Sequence, residues 1–73
     1  MSPPLPLVTA RVVIKAIERR GFVQKNRRGS HIVFKHSDGR RTTVIDHGSK
    51  PVDRSVLKKI MRDTGISVED LEA

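Results

Sequence analysis

The chain is 73 residues long, which is enough for one small domain and too short for a second. Its 15 Lys and Arg residues outnumber 8 Asp and Glu residues, and the formal net charge of +7 favours a polyanionic partner such as nucleic acid. The lack of cysteine excludes a disulfide scaffold and fits a reducing cytoplasm. The apolar runs are far shorter than the roughly 20 residues of a membrane span, so we expect no membrane association.

Three prolines near the start disfavour helix, so we expect residues 1–8 to form an extended tail before a single domain at residues 9–73. Thr9 is a suitable N-cap for a helix that runs to about Arg20, and Gly21 is suited to end that helix in a left-handed conformation. The apolar side chains that share one face of this helix are Val13, Ile14 and Ile17.

Three strands are predicted next, at Phe22–Arg27, Ile32–His36 and Arg41–Ile45, separated by turns at Arg28-Gly29-Ser30 and Asp38-Gly39. We interpret Asp38-Gly39 as a two-residue turn with both residues at positive φ, which sets the pairing of the second and third strands. One face then carries the pairs Phe34 with Thr43 and Ile32 with Ile45, and the other carries Val33 with Val44 and Lys35 with Thr42. We assign the face of Ile32, Phe34 and Ile45 to the core, and the face of Val33 and Val44 is the competing choice.

A polar loop at Asp46–Pro51 follows the third strand. Asp53 can cap a second helix from about Arg54 to Asp63, and Gly65 can end it. The apolar positions of this helix are Val56, Leu57, Ile60 and Met61.

A capping box at Ser67–Asp70 predicts a last short helical turn that Leu71 anchors. Each of the two longer helices has a single apolar stripe, so both must cover the same face of the three-stranded antiparallel sheet. The sequence therefore predicts a two-layer α+β fold in the order α-β-β-β-α, with the other sheet face open to water.

The three histidines, His31, His36 and His47, do not have the spacing of a zinc site, and the carboxylates left over from turns and caps form no pair, so we expect no metal and no cofactor. His31 follows Gly29-Ser30 at a strand start among basic residues, where an imidazole could move a proton beside a bound phosphate. A surface histidine without function is the competing interpretation. The loop of His47 could present donors to an anion, or could simply be solvated. His36, placed opposite Arg41, is expected to be exposed and structural.

The order and spacing of these features resemble the HicA family of toxin mRNA interferases from Thr9 to Leu71. The segments that carry the resemblance are Gly21-Phe22, Gly29-Ser30-His31, Phe34-Lys35-His36, Asp38-Gly39-Arg40-Arg41, His47-Gly48, Leu57-Lys58-Lys59-Ile60 and Gly65-Ile66. The resemblance implies a double-stranded-RNA-binding-domain-like fold, a catalytic role for His31, ribosome-independent cleavage of mRNA, and neutralisation by a HicB-type antitoxin. One departure is that Ile45-Asp46 stands where such sequences often have a proline shortly before the histidine that matches His47.

We therefore expect a metal-independent endoribonuclease in which His31 is the general base for attack of an RNA 2′-hydroxyl on the adjacent phosphate. The general acid stays open between His47 and water. The residues assigned to RNA binding are Lys25, Arg27, Arg28, Gly29, Ser30, Lys35, His47 and Lys50. The alternative is a non-catalytic RNA-binding module that uses the same basic face. A DNA-binding protein is the weaker third interpretation, because no short helix precedes the second helix as a helix-turn-helix requires.

Overall fold

The computed structural model describes residues 5–73. Its elements in chain order are α1 (Ala10–Arg19), β1 (Val23–Arg28), β2 (His31–Lys35), β3 (Arg41–Ile45), α2 (Arg54–Thr64) and α3 (Val68–Glu72). The strands form one antiparallel sheet in the order β1-β2-β3. Side chains from all three helices and from one face of β2 and β3 join a single buried cluster, so the helices cover one face of the sheet. The predicted α+β architecture is confirmed, and its layout is consistent with a double-stranded-RNA-binding-domain-like fold.

The segment before α1 is predicted to be an extended tail, and residues 1–4 of it lie outside the described residues. Residues 5–8 have no regular secondary structure, but Leu5 and Val8 pack against the core. The carbonyl of Val8 accepts a hydrogen bond from the N–H of Val52 at 2.7 Å. The start of α1 is therefore tied to the segment that precedes α2.

The first helix buries the face that the apolar spacing predicts, with Val13 and Ile17 fully enclosed. It ends in the pair of hydrogen bonds typical of a glycine C-cap. Gly21 N–H donates to the carbonyl of Glu18 at 3.0 Å, and Phe22 N–H donates to that of Ile17 at 3.1 Å. Gly21 takes a φ of +92°, as predicted, and the side chain of Phe22 is buried in the core.

The register of β2 and β3 differs from the predicted one by one residue. Gly39 takes a φ of +99° but Asp38 does not have a positive φ, so the predicted two-residue turn is wrong. The loop instead follows the three-residue pattern, in which Gly39 N–H donates to the carbonyl of His36 at 3.0 Å. The observed pairs are Lys35 with Arg41, Phe34 with Thr42, Val33 with Thr43, Ile32 with Val44 and His31 with Ile45.

This shift exchanges the positions of Val44 and Ile45. Val44 is fully buried beside Ile32 and Phe34, whereas Ile45 is half-buried on the other side of the sheet, where Val33 also lies. We call this second side, which the helices do not cover, the outer face. The predicted core is thus wrong in one member, because one extra residue in a turn moves every later side chain to the opposite face.

The N-caps of the two longer helices differ from the prediction in their side chains. Thr9 and Asp53 occupy the N-cap positions, but neither side chain accepts a hydrogen bond from a backbone N–H of its helix. The carboxylate of Asp53 instead accepts a hydrogen bond from the Ser55 hydroxyl at 2.7 Å. Gly65 ends α2 at a φ of +78°, as predicted. None of the helices in the described part of the chain is long and apolar enough to cross a membrane.

The predicted capping box at the start of α3 is confirmed. The carboxylate of Asp70 accepts the Ser67 N–H at 2.8 Å, and this bond is the largest cause that lowers the pKa of Asp70 below its ordinary 3.8. Both oxygens of the same carboxylate accept hydrogen bonds from the guanidinium of Arg20, at 2.9 and 3.0 Å. With Leu71 buried, α3 is held both by packing and by charge.

Candidate nucleic-acid interface

The sheet is the most basic part of the molecule. Its three strands contain no Asp or Glu and five cations, which are Lys25, Arg27, Arg28, Lys35 and Arg41. The acidic residues lie in the helices and loops. All five cations are exposed, and Arg28, Lys35 and Arg41 lie on the outer face, whereas Arg27 pairs with the buried Ile32 and lies on the other side. The outer face therefore presents positive charge to solvent, which is the electrostatic requirement for binding a phosphodiester chain.

His31 begins β2 and lies on the outer face, between Arg28 on β1 and Ile45 on β3. Its side chain is exposed, and among residues 5–73 no carboxylate pairs with it, in contrast to His36. Gly29 in the preceding turn has a φ of +59°, and a Cβ built there would meet open space. The approach to the His31 imidazole and to this turn is therefore unobstructed.

The loop after β3 is tied to the turn that precedes His31. The N–H of Asp46 donates to the carbonyl of Ser30 at 2.8 Å. The carboxylate of Asp46 then accepts the N–H of Gly48, also at 2.8 Å, which closes a small turn around His47. These bonds bring the backbone of His47, which is exposed, beside the end of the sheet that carries His31.

Asp46 is the residue at this end that the sequence analysis missed. Its carboxylate lies 3.8 Å from the guanidinium of Arg27, whose Nε also donates to the Gly29 carbonyl at 3.0 Å. Arg27 therefore stabilises the turn in addition to carrying charge. The spacing of Asp46 and Gly48 is the signal that could have indicated this turn, because aspartate commonly bonds the backbone two residues on. Asp46 belongs to no metal cluster, since residues 5–73 contain no group of three potential ligands.

The structure divides the residues assigned to RNA binding between two ends of the sheet. Residues 27–31 and the loop of residues 46–50, closed by a bond from Lys50 N–H to the His47 carbonyl at 3.3 Å, form what we call the histidine end. Lys25 and Lys35 line a pocket at the opposite end, which we call the lysine end. The two ends are about 13 Å apart along β2, because a strand rises about 3.3 Å per residue.

His36 is half-buried at the lysine end, so the expectation of an exposed histidine opposite Arg41 is wrong. The extra residue in the turn places it opposite Arg40, and its ring packs edge-on against Phe22 with centroids 5.1 Å apart. Its Nδ1 accepts the N–H of Asp38 at 3.1 Å. The backbone N–H of Arg40 is the largest cause that lowers the pKa of Asp38 below its ordinary 3.8, with help from the Arg40 guanidinium.

Residues 10–66 match the model of a protein family described as HicA toxin of bacterial toxin-antitoxin. The matched range contains α1, all three strands and α2, and it therefore includes both ends of the sheet. Among curated proteins no match was found.

Proposed function

The chain belongs to the HicA toxin family and is a toxin of a toxin-antitoxin system, and from that premise we propose that it is an endoribonuclease that cleaves mRNA without the ribosome. The observation that carries the proposal is the exposed imidazole of His31, free of any carboxylate partner among residues 5–73 and set beside Arg28 on a basic sheet face. RNA cleavage needs a proton acceptor and positive charge near the phosphate. The imidazole of His31 is suited to the first role and the guanidinium of Arg28 to the second.

In the proposed reaction, the neutral imidazole of His31 takes the proton of an RNA 2′-hydroxyl, and the 2′-oxygen attacks the adjacent phosphorus. The bond from phosphorus to the 5′-oxygen of the next nucleotide breaks, and that oxygen takes a proton from water or from His47. The products are a 2′,3′-cyclic phosphate and a 5′-hydroxyl. Arg28 and Lys50 are the cations proposed to stabilise the charge that develops on the phosphate oxygens. The reaction as proposed uses no metal and no cofactor.

The proposal is tested with an mRNA fragment and with matched oligonucleotides that differ at one position. The purified toxin should cut the all-ribose strand in the presence of EDTA and should leave a cyclic phosphate at the 3′ end of the upstream product. Replacing the single nucleotide 5′ of the cut by its 2′-deoxy form should prevent that cut, because the attacking oxygen is then missing. The deoxy strand should still bind, because the phosphates are unchanged.

The same assay distinguishes the alternative function. A toxin that binds RNA tightly but cuts neither strand, after its antitoxin has been removed, would favour a non-catalytic RNA-binding module. A cut that needs added divalent metal would contradict the proposed mechanism while leaving the nuclease activity in place.

The toxin has an antitoxin partner, as its family implies, and we propose that this partner is of the HicB type and covers the histidine end. An acidic surface on the antitoxin would associate rapidly with the basic sheet, and apolar contacts would slow dissociation of the complex. Val33 and Ile45 are the half-buried apolar residues of the outer face, and they take the place of the Val33 and Val44 patch that the predicted register suggested. A hydrogen-exchange footprint of the complex should show protection at β2 and at the loop of residues 46–50. Protection confined to the helices would contradict this arrangement.

A further inference from the structure

We propose that the lysine end of the sheet is a second nucleotide-binding subsite, which holds an RNA phosphate and the group next to it a few nucleotides away from the bond cut at His31. The inference rests on the proposed function in taking the ligand to be RNA. It assigns a role to side chains that the proposed cleavage reaction does not use.

A pocket of about 260 Å³ lies at this end, lined by Gly21, Val23, Lys25, Lys35, His36 and Ser37. Its chemistry is mixed, with two ammonium groups, an imidazole and a hydroxyl around an apolar side chain. Val23 is 55% exposed and supplies the apolar part of the pocket lining. A nucleotide has the matching combination, because its phosphate is anionic and its base and ribose have apolar faces.

The arrangement of cations around the pocket is unfavourable in the free protein. Lys35 stands directly opposite Arg41 on the neighbouring strand, and like charges in such pairs destabilise a sheet. Lys25 is the extra residue of a β-bulge between Gln24 and Asn26, a device that redirects a side chain at a sheet edge. No acidic residue among residues 5–73 pairs with any of the three cations. A phosphate bound in the pocket at Lys25 and Lys35 would relieve part of this repulsion.

His36 adds an imidazole nitrogen to the pocket. Its Nδ1 is occupied by Asp38, whose N–H lies 3.1 Å and whose carboxylate lies 3.2 Å away, so Nε2 is the ring nitrogen left for a ligand. Nε2 lies on the side of Gly21, where a Cβ in place of the glycine hydrogen would come within 2.9 Å of it. His36 lines the pocket, and its side chain is only partly buried. Any side chain at position 21 would therefore crowd the imidazole from this side, which glycine leaves clear.

The distance between the two ends decides the kind of ligand. They lie about 13 Å apart along β2, farther than one phosphate and its own base reach, so a single nucleotide cannot occupy both. A strand of RNA that runs along the outer face would place one phosphate beside His31 and a later or earlier one at Lys25 and Lys35. The lysine end would then hold substrate in register without taking part in proton transfer.

The test compares two double variants that each remove two positive charges. Lys25→Ala with Lys35→Ala empties the proposed subsite, and Lys15→Ala with Lys58→Ala removes exposed lysines from the helix layer as the matched control. The probes are fluorescent RNA strands of increasing length with 2′-O-methyl groups throughout, so that binding is measured by anisotropy without cleavage. All four lysines are exposed, so both variants should remain folded.

For RNA long enough to reach both ends, the subsite variant should bind about 25-fold more weakly than the wild type at 0.1 M salt. Each lost phosphate contact lowers affinity by about 0.7 decade per decade of salt, and two contacts are lost over the decade between about 1 M and 0.1 M. Its log–log salt slope should be shallower by about 1.4, because two lysines no longer neutralise phosphates. The control should change affinity by no more than about twofold, since charges beyond a Debye length are screened. Strands too short to leave the histidine end should bind the subsite variant and the wild type alike.

Equal losses in both double variants would show that only the overall field of the protein acts, and would overturn the subsite. Unchanged RNA affinity together with weaker capture of the antitoxin would assign the lysine end to the protein partner and would also overturn it. The failure of the proposed function looks different, because a toxin that does not cut ribose RNA could still show the length-dependent loss of binding.

Discussion

Replacing His31 by alanine should separate RNA cleavage from RNA binding. General-base catalysis contributes about 10²–10⁴-fold to a rate, so the single-turnover cleavage rate of the variant should fall by that factor, equivalent to about 3–5 kcal/mol of barrier. The imidazole is exposed and pairs with no carboxylate among residues 5–73, so the free energy of unfolding should change by less than about 0.5 kcal/mol. Affinity should change little, because the nearby cations remain.

The assay is cleavage of a labelled mRNA fragment with toxin in excess, run beside anisotropy and urea unfolding on the same preparations. Imidazole added to the buffer should restore part of the rate of His31→Ala, since the place of the missing ring is open to solvent. His47→Ala is the matched control at the same end of the sheet. If water is the general acid, His47→Ala should retain its cleavage activity. If the His47 ring supplies the proton, this variant should lose activity although His31 is intact. A folded His31→Ala protein that cuts RNA at the wild-type rate would refute the assignment of the base.

Three further outcomes follow from the geometry. Gly21→Ala should lower the free energy of unfolding in urea by more than Gly39→Ala. Both glycines have φ above +90°, which costs other residues about 1–2 kcal/mol, but only at Gly21 would the new Cβ lie 2.9 Å from His36 Nε2. Equal losses would contradict the close approach. Asp70→Asn should reduce the fall of the melting temperature in acid, since a carboxyl with a lowered pKa stabilises the fold above about pH 3.8 and loses that effect as the pH falls further. An unchanged fall of the melting temperature would show that this carboxyl is not responsible. Arg28→Ala should make the salt slope of RNA binding shallower by about 0.7, because this cation lies beside the proposed base, and an unaltered slope would place the phosphate elsewhere.

The elements of the fold could be predicted because each is specified by neighbours in the sequence. The spacing of Val13 and Ile17 defines the buried stripe of α1, and Gly21 and Gly65 end their helices through a conformation that other residues rarely take. The capping box before Leu71 is likewise a local pattern, with donor and acceptor three residues apart. For such features, both partners of the interaction lie within a few residues of each other in the sequence.

The register of β2 and β3 could not be predicted with the same certainty, because Asp38-Gly39 fits two kinds of turn. A two-residue turn needs positive φ at both positions, whereas the three-residue loop needs it at the glycine alone. The second arrangement is less strained for an aspartate, and it leaves Val44 in the core and His36 packed on Phe22. One residue of loop length therefore decides which side chains face solvent on β3.

The histidine end depends on contacts that no local pattern reveals. Its closing bond, from the N–H of Asp46 to the carbonyl of Ser30, joins the loop after β3 to the turn before β2. The resemblance leads one to expect a proline shortly before His47, where this chain has Ile45-Asp46. A proline at position 46 has no N–H and could not make this bond. Here the aspartate supplies that donor, and its carboxylate supplies an acceptor for Gly48, so the loop is held by two hydrogen bonds where a proline would restrict it by its ring. The backbone segments that carry His31 and His47 are thus held together by contacts between residues far apart in the sequence, which a pattern of neighbouring residues does not reveal.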